Sequence, residues 1–351
     1  MSLKDKLFPK IRTDEEAERV VKPQVGGKTC PACSRNYPAY SNFVVCKHDG
    51  TLLVKSIHFN NVFEIKENLT FATERYKIEE WKGEGELSNV FYAIDTTSQE
   101  KVVIKIIKSQ VLGGEPRRIR KFADMLHETI GVQHPNIVTV LDSGITKDSE
   151  TSIPKVYVVV EKLKAFKNLK MILHQYGRMS PYVVIETMVK ACETFDHTHS
   201  KGWLHQDVKP SNIYISMNEE QVAVKISDFA VAARMFSNLE WENIGTKTGS
   251  IYGNAAYMSP DATFALEPSL ESDVYSLGCT MYHVLKGMPP FEGNNDFSTL
   301  MMHRDKEPKP FAEELEVPKE LEAVVMRCLQ KKPENRYHSF KDLATELNAI
   351  T

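Results

Sequence analysis

Within LHQDVKPSNIYI, Leu204 to Ile215, three polar side chains stand at fixed offsets: Asp207, Lys209 and Asn212. A carboxylate and an amide five residues apart, with an ammonium between them, can hold a hydroxyl, a divalent cation and a phosphate together. Phosphoryl transfer asks little more of a protein. It needs a carboxylate to orient the attacking hydroxyl and accept its proton, cations beside the transferred group, and oxygen ligands for Mg²⁺. Asp207 suits the base, Lys209 the charge neutraliser and Asn212 a metal ligand. Asp228, sixteen residues past Asn212 in ISDFA, follows a strand-like run. There a carboxylate can take the second metal position and bridge phosphate oxygens.

Upstream, WKGEGELSNVFYAID places Gly83 and Gly85 before a β-type run. Glycine lets the backbone approach phosphates closely, and Val90 on the next strand can cover a base. Lys105 in VVIK can hold the α and β phosphates. Each motif alone also reads as an ordinary hairpin turn or strand end, so their order along the chain carries the signal.

The elements that must position these groups fall into two regions. From Tyr76 to Lys108, short alternating runs (YKIEEWKGEG, VFYAIDTT, KVVIKIIK) predict antiparallel strands. RRIRKFADMLHETIGV has helical spacing, and IVTVLDSGI and KVYVVVEKL return to strand. After about residue 165 the pattern is mostly helical, in NLKMILHQYG, YVVIETMVKACETFDHTHSKG, DVYSLGCTMYHVLKG, ELEAVVMRCLQ and FKDLATELNAI. A β-rich part before an α-rich part predicts an α+β chain of two lobes. The composition is that of a globular protein, 351 residues at 42% hydrophobic and 26% charged. A net charge of −3 gives no global pull toward nucleic acid or anionic membrane. No apolar run reaches the roughly 18 residues of a membrane span. MSLKDKLFPKIRTDEEAERV is too charged for a signal peptide, so the expected setting is cytoplasmic and reducing.

Residues 75–351 resemble a eukaryotic-like serine/threonine protein kinase of bacterial type. The motifs run in that family's order: Gly83 and Gly85, VVIK, HPNIV, HQDVKPSN, DFA, YMSPD, DVYSLG and KKPENR. The resemblance implies a bilobal fold with a β-rich N-lobe (75–163) and a helical C-lobe (164–351). It implies ATP and Mg²⁺ or Mn²⁺ as cofactors, and a protein Ser/Thr hydroxyl as acceptor. Lys105 then matches the nucleotide-phosphate lysine, Asp207 the catalytic base and Lys209 the lysine that marks serine/threonine kinases. Asn212 and Asp228 match the metal ligands and Val160 the gatekeeper. The backbone of Glu161 and Leu163 is expected to face adenine. Asp273 resembles the buried aspartate that holds the catalytic loop, and Asp261 and Arg336 fall where the family forms a buried pair.

The chain departs from the family at several points. Counting back nine from His134 puts Met125 where the helix glutamate partner of Lys105 belongs. Asp124 and Glu128 flank it, so Glu128, Asp124 or no helix carboxylate are the arrangements left open. DFG is DFA, with Ala230, which restricts the segment's flipping. HRD is HQD, so Gln206 cannot make the charged pair with an activation-loop phosphate, a non-RD pattern. Asn254 stands in place of a threonine and Ser88 in place of the third loop glycine. Thr246, Thr248, Ser250 and Tyr252 remain as modifiable hydroxyls. All four chemistry positions survive, which favours an active enzyme over the alternative, a nucleotide-binding pseudokinase scaffold acting through partners.

Cys30, Cys33 and Cys46 crowd into one short segment, whereas Cys192, Cys279 and Cys328 sit among apolar neighbours as core thiols. Residues 27–55 resemble a zinc ribbon, placed between a charged lead (1–26) and a connecting stretch (56–74). Cys30, Cys33 and Cys46 supply three ligands to Zn²⁺. The fourth is His48 or Asp49, with His48 the better ligand chemically. Lys28, Arg35 and Lys47 are too few for a nucleic-acid surface, so a protein-docking role is expected of the module. The run from Arg117 to Lys121 opens a helix as a solvated basic face, or as a seat for an acidic partner.

Overall fold

The computed structural model describes residues 28–29, 36–37, 54–55, 70–71, 75–84, 88–108, 116–130, 132–147, 154–217, 221–229, 254–263 and 269–350. Near the N-terminus, β1 (Lys28–Thr29), β2 (Asn36–Tyr37) and β3 (Val54–Lys55) pair as a small antiparallel sheet in the order β2-β1-β3. Thr29 lies opposite Asn36, so this hairpin brackets Cys30 and Cys33. The cysteines themselves, with Cys46, His48 and Asp49, lie outside the described residues.

The N-lobe is a six-stranded antiparallel sheet in the order β4-β5-β6-β7-β9-β8. Its strands are β4 (Thr70–Phe71), β5 (Tyr76–Glu84), β6 (Ser88–Asp95), β7 (Lys101–Ile107), β8 (Val140–Lys147) and β9 (Pro154–Glu161). Its first strand lies within the stretch 56–74. Alternation sorts side chains between two faces. On one face Tyr76, Ile78, Phe91, Ala93, Val102, Ile104, Ile106, Tyr157 and Val159 form one cluster. On the other, Ile107, Val156, Val158 and Val160 pack on helix α1 (Pro116–His127) through Ile119, Phe122, Ala123 and Leu126. Each of these large apolar side chains contributes about 1.5–3 kcal/mol on burial. Tyr76 donates to Asp142 at 2.8 Å, linking β5 to β8.

The C-lobe core gathers helices α2 (Leu169–Tyr176), α3 (Pro181–His199), α5 (Leu270–Lys286), α7 (Lys319–Cys328) and α8 (Phe340–Asn348) around Leu169, Met188, Phe195, Leu277, Leu321 and Phe340. A short helix, α4 (Pro260–Thr263), precedes α5, and α6 (Asp296–Asp305) follows it. Ser180 caps α3 with Pro181 at its first turn, a local start signal. Gly287 ends α5 at φ 88°, and a Cβ there would meet the Gly177 carbonyl oxygen at 2.8 Å. Cys192, Cys279 and Cys328 are fully buried thiols, as the apolar context predicted. Strands β10 (Lys167–Asn168), β11 (Ile213–Met217) and β12 (Val222–Ile226) form a small sheet beneath the cleft.

The helices and strands read from periodicity are present. α6 was not predicted. Its apolar residues do not share one stripe: Leu300 is buried while Phe297 is 66% exposed, so the helical period is faint.

Candidate active site

The loop from His205 to Asn212 has no regular structure of its own, so other elements must hold it. Asp273 on α5 accepts the backbone N–H of His205 and of Gln206, each at 2.7 Å, and contacts His199 Nε2 at 3.0 Å. This is the loop-holding role expected of Asp273. Gln206 takes φ 61°, a left-handed conformation unfavourable for a side chain, and the Asp273 bonds hold it there. His205 is fully buried. Its Nε2 donates to the Ser227 carbonyl at 2.9 Å, leaving Nδ1 to accept from Asp207 N at 3.2 Å.

At the tip of this loop the predicted residues converge. The Asp207 carboxylate meets Lys209 Nζ at 2.9 Å and accepts from Asn212 Nδ2 at 3.0 Å. The same Asn212 nitrogen reaches the Asp207 carbonyl at 2.9 Å. Asn212's carbonyl accepts Ser227 N at 2.9 Å, so the residue before Asp228 is fastened to the residue that precedes β11. Asn212 Oδ1 and the Asp228 carboxylate are hard oxygen donors of the kind Mg²⁺ takes. Asp228 itself sits at φ 64°.

Strand register aligns the nucleotide-side residues. Gly83 pairs with Val90, Val90 with Lys105, and Lys105 with Val158, forming one row across four strands. Gly83 takes φ 145°, where a side chain would be strained. Gly85 lies outside the described residues. Lys105 Nζ ion-pairs with Asp228 Oδ1. Burial opposes the ammonium's charge, but Asp228, then Tyr214 and Asp207, overcome it and raise its pKa. Burial likewise opposes the Asp228 carboxylate, and Lys105 outweighs that, holding it below its ordinary value with help from His205 and Lys209. Asp124 and Glu128 are both exposed at the end of α1, and Met125 is half-buried. Of the arrangements open from sequence, the ion pair seen for Lys105 uses neither helix carboxylate.

Lys105, Asp228, Thr129, Val158, Val160 and Phe229 line a cavity behind this pair. The inter-lobe segment follows at the end of β9. Glu161 Oε1 accepts from Thr139 N at 2.9 Å, Thr139 Oγ1 at 3.1 Å and Lys225 Nζ at 2.7 Å. Lys162 Nζ stands 3.8 Å over the Tyr92 ring, and Leu163 packs beside the α1–β9 cluster.

The protein kinase domain model matches residues 76–347. The chain belongs to the protein kinase family. The serine/threonine-protein kinase PknB of Mycobacterium tuberculosis is 34% identical over 276 residues, 78% of this chain and 42% of that protein. A probable serine/threonine-protein kinase PknB of Corynebacterium glutamicum is 29% identical over 289 residues, 81% of this chain and 43% of that protein. The kinase thus spans less than half the length of these bacterial relatives. The crystal structure of a double mutant of the Mycobacterium tuberculosis PknI kinase domain shares the fold. Its TM-score is 0.62 at 16% identity, over 82% of this chain and 98% of that one.

Two residues of this kinase domain escaped the reading of the sequence. Lys225 and Tyr214 lie opposite each other in the β11–β12 pairing, so their side chains share a face. Lys225 reaches Glu161, so that face turns toward the inter-lobe segment. The signal was present in β11, where Ile213 and Ile215 are buried and Tyr214 between them is not. Ala230, Thr246, Thr248, Ser250 and Tyr252 lie outside the described residues. Asn254 Oδ1 accepts from Ala256 N at 3.2 Å. Asp261 and Arg336 form the expected buried pair, at 2.7 and 3.2 Å. Among the described residues no helix is long and apolar enough to cross a membrane, and no metal-ligating cluster of His, Cys, Asp and Glu occurs.

Proposed function

We propose that this chain is an ATP- and Mg²⁺-dependent protein kinase that transfers the γ-phosphate to serine or threonine hydroxyls of proteins. One observation carries the reading: Asp207, Lys209 and Asn212 are in mutual contact, and the bond from Ser227 N to the Asn212 carbonyl fastens the residue before Asp228 to that group. Asp207 orients the acceptor hydroxyl and takes its proton. Lys209, beside Asp207, neutralises charge developing on the transferred group. Asn212 and Asp228 would hold Mg²⁺ (or Mn²⁺), which supplies charge neutralisation at the phosphates. Lys105 holds the α and β phosphates once it gives up Asp228. Gly83 and Gly85 let the backbone cover the phosphates, and Val90 and Val160 enclose the base. The backbone of Glu161 and Leu163 reads its edge. Gln206 makes this a non-RD kinase whose activity does not run through a phosphate on that residue.

A second reading, a nucleotide-binding pseudokinase, draws on Met125 and the Lys105–Asp228 pair, which together leave the phosphate lysine engaged away from α1. Autophosphorylation with labelled ATP, with Mg²⁺ and with Mn²⁺, separates the two. The kinase reading expects label in the wild type and none in Asp207→Asn. Absence of label in both, with generic protein substrates added, overturns it in favour of the scaffold.

We further propose that Cys30, Cys33, Cys46 and His48 (or Asp49) hold one structural Zn²⁺. The β1–β2 hairpin around the Cys30–Cys33 knuckle supports this, as does the thiolate-rich donor set. The module is a protein-docking element, and the kinase works in the cytoplasm. One zinc per chain by elemental analysis is expected, falling toward zero in Cys30→Ser/Cys33→Ser.

A further inference from the structure

One carboxylate oxygen at the lobe junction carries three hydrogen bonds. Glu161 Oε1 takes Thr139 N, Thr139 Oγ1 and Lys225 Nζ, and Lys225 Nζ also donates to the Ile137 carbonyl at 3.1 Å. The neighbouring backbone is stitched at the same place. Ile226 N donates to Asn136 O at 2.8 Å, Val138 N to Ile226 O at 2.9 Å, and Glu161 N to Thr139 O at 3.0 Å. Lys225 thus ties its own strand, which ends two residues before Asp228, to two other segments at once: the end of β9 and the approach to β8. Its side chain is only 18% exposed, and that of Glu161 31%. The pair is therefore partly withdrawn from solvent, where charge-assisted bonds fix geometry better than at an open surface. Burial alone would raise the Glu161 carboxyl; Lys225 and Thr139 hold it below its ordinary value.

We propose that Lys225 is a positioning residue for nucleotide. By clamping the Glu161 side chain it sets the height of the base-reading backbone above β12, and so the distance between the base end and the phosphate end of the site. The role differs from that of Lys105: Lys225 touches neither phosphate nor metal, and acts through Glu161. A backbone hydrogen bond to the base tolerates displacement of only a few tenths of an ångström. Freed from Lys225, the half-buried Glu161 carboxylate would keep its two Thr139 bonds but lose its counter-ion, turn toward water, and carry the segment with it.

The inference rests on the kinase reading for its ligand, and the test separates the two. In the full chain, Mg·ATP affinity is measured by calorimetry, and kcat and KM for ATP by phosphate transfer, for Lys225→Met, Lys225→Arg, Glu161→Gln and the Lys225→Met/Glu161→Gln pair. Lys225→Met is expected to weaken ATP binding and raise KM about tenfold while kcat stays within about twofold. Lys225→Arg should recover most of the loss, and the double variant should be no worse than Lys225→Met alone. Unchanged ATP affinity in Lys225→Met overturns the proposal. So does a fall in kcat as large as the rise in KM, which marks a lysine that only holds the fold. If the wild type binds ATP but transfers no phosphate, only the catalytic reading fails, because the affinity series still decides the role of Lys225. If the wild type binds no ATP, both fall.

Discussion

Lys105 and Asp228, 123 residues apart in the chain, close on each other as an ion pair at the back of the cleft. The lysine comes from β7 in the N-lobe and the aspartate from the end of β12, so a single contact spans the two lobes. At the counted position of the lysine-pairing glutamate α1 carries Met125, and a thioether cannot serve as counter-ion to an ammonium. On the proposed reading Asp228 has two calls on it, as the counter-ion of Lys105 and as a ligand for Mg²⁺.

Restoring the missing carboxylate should relieve that conflict. Met125→Glu is expected to raise kcat/KM for ATP several-fold by drawing Lys105 away from Asp228. Lys105→Met should lose at least a hundredfold in kcat/KM with little change in melting temperature. Steady-state kinetics on the two variants checks this, and a Met125→Glu enzyme no faster than wild type would falsify the counter-ion account.

Asp273 holds the catalytic loop without touching the reacting groups, so its loss should appear in turnover. With Asp273→Ala the N–H groups of His205 and Gln206 lose their acceptor and Gln206 has nothing to keep φ 61°. A drop in kcat of about 10–100-fold is expected, with nucleotide affinity nearly unchanged because Lys105 and the β-sheet row stay in place. Single-turnover rates and ATP titrations measure the two separately.

Arg336 is almost wholly buried. Its guanidinium meets Asp261 through two nitrogens and also donates to the carbonyls of Glu271, Gln330 and Lys331. Lysine has neither the planar fork nor enough donors for these acceptors. Arg336→Lys should destabilise the C-lobe by about 3–5 kcal/mol, as expected when one member of a buried pair is compromised. The midpoint of a urea unfolding curve reports it, and a shift worth under about 1 kcal/mol would contradict the account.

Two C-lobe histidines make stability depend on pH. Burial pushes the His303 imidazole down to about 3 and that of His283 down to about 4, with Lys331 and Lys170 acting in the same direction. In the unfolded chain both return toward 6.5. The unfolded state then binds more protons as pH falls, so this part of the stability is whole above about pH 6.5 and is lost from there down to about pH 4 for His283 and about pH 3 for His303. Two such protons give a slope of up to about 2.7 kcal/mol per pH unit. His303→Gln keeps an acceptor for Tyr275 and should remove about half of that slope. Urea unfolding between pH 7 and 4.5 tests this.

Much of this site is legible in sequence because kinase chemistry writes itself in short motifs. Asp207, Lys209 and Asn212 lie within six residues, and their mutual contacts are local. Asp228 follows from the strand that precedes it. What sequence could not give were contacts made over distance. The partner of Lys105 lay 123 residues along the chain at Asp228, while Glu128, Asp124 or no helix carboxylate stayed open from the sequence. Lys225 looked like an ordinary strand residue, since its function lies in meeting Glu161, 64 residues earlier. Helix α6 was hidden for another reason: it buries Thr299, Leu300 and His303 rather than an apolar stripe.

The row Gly83–Val90–Lys105–Val158 also bears on how such a chain can change length. Adding or removing one residue inside β6 or β7 would turn every later side chain of that strand to the opposite face, taking Val90 or Lys105 out of the cleft and pushing a core residue into it. The same change in the turn at 96–98 or in the segment 148–153 leaves the row intact. Length variation in the N-lobe is therefore confined to its connections, and an inserted tag or sensor domain belongs there and nowhere along the strands.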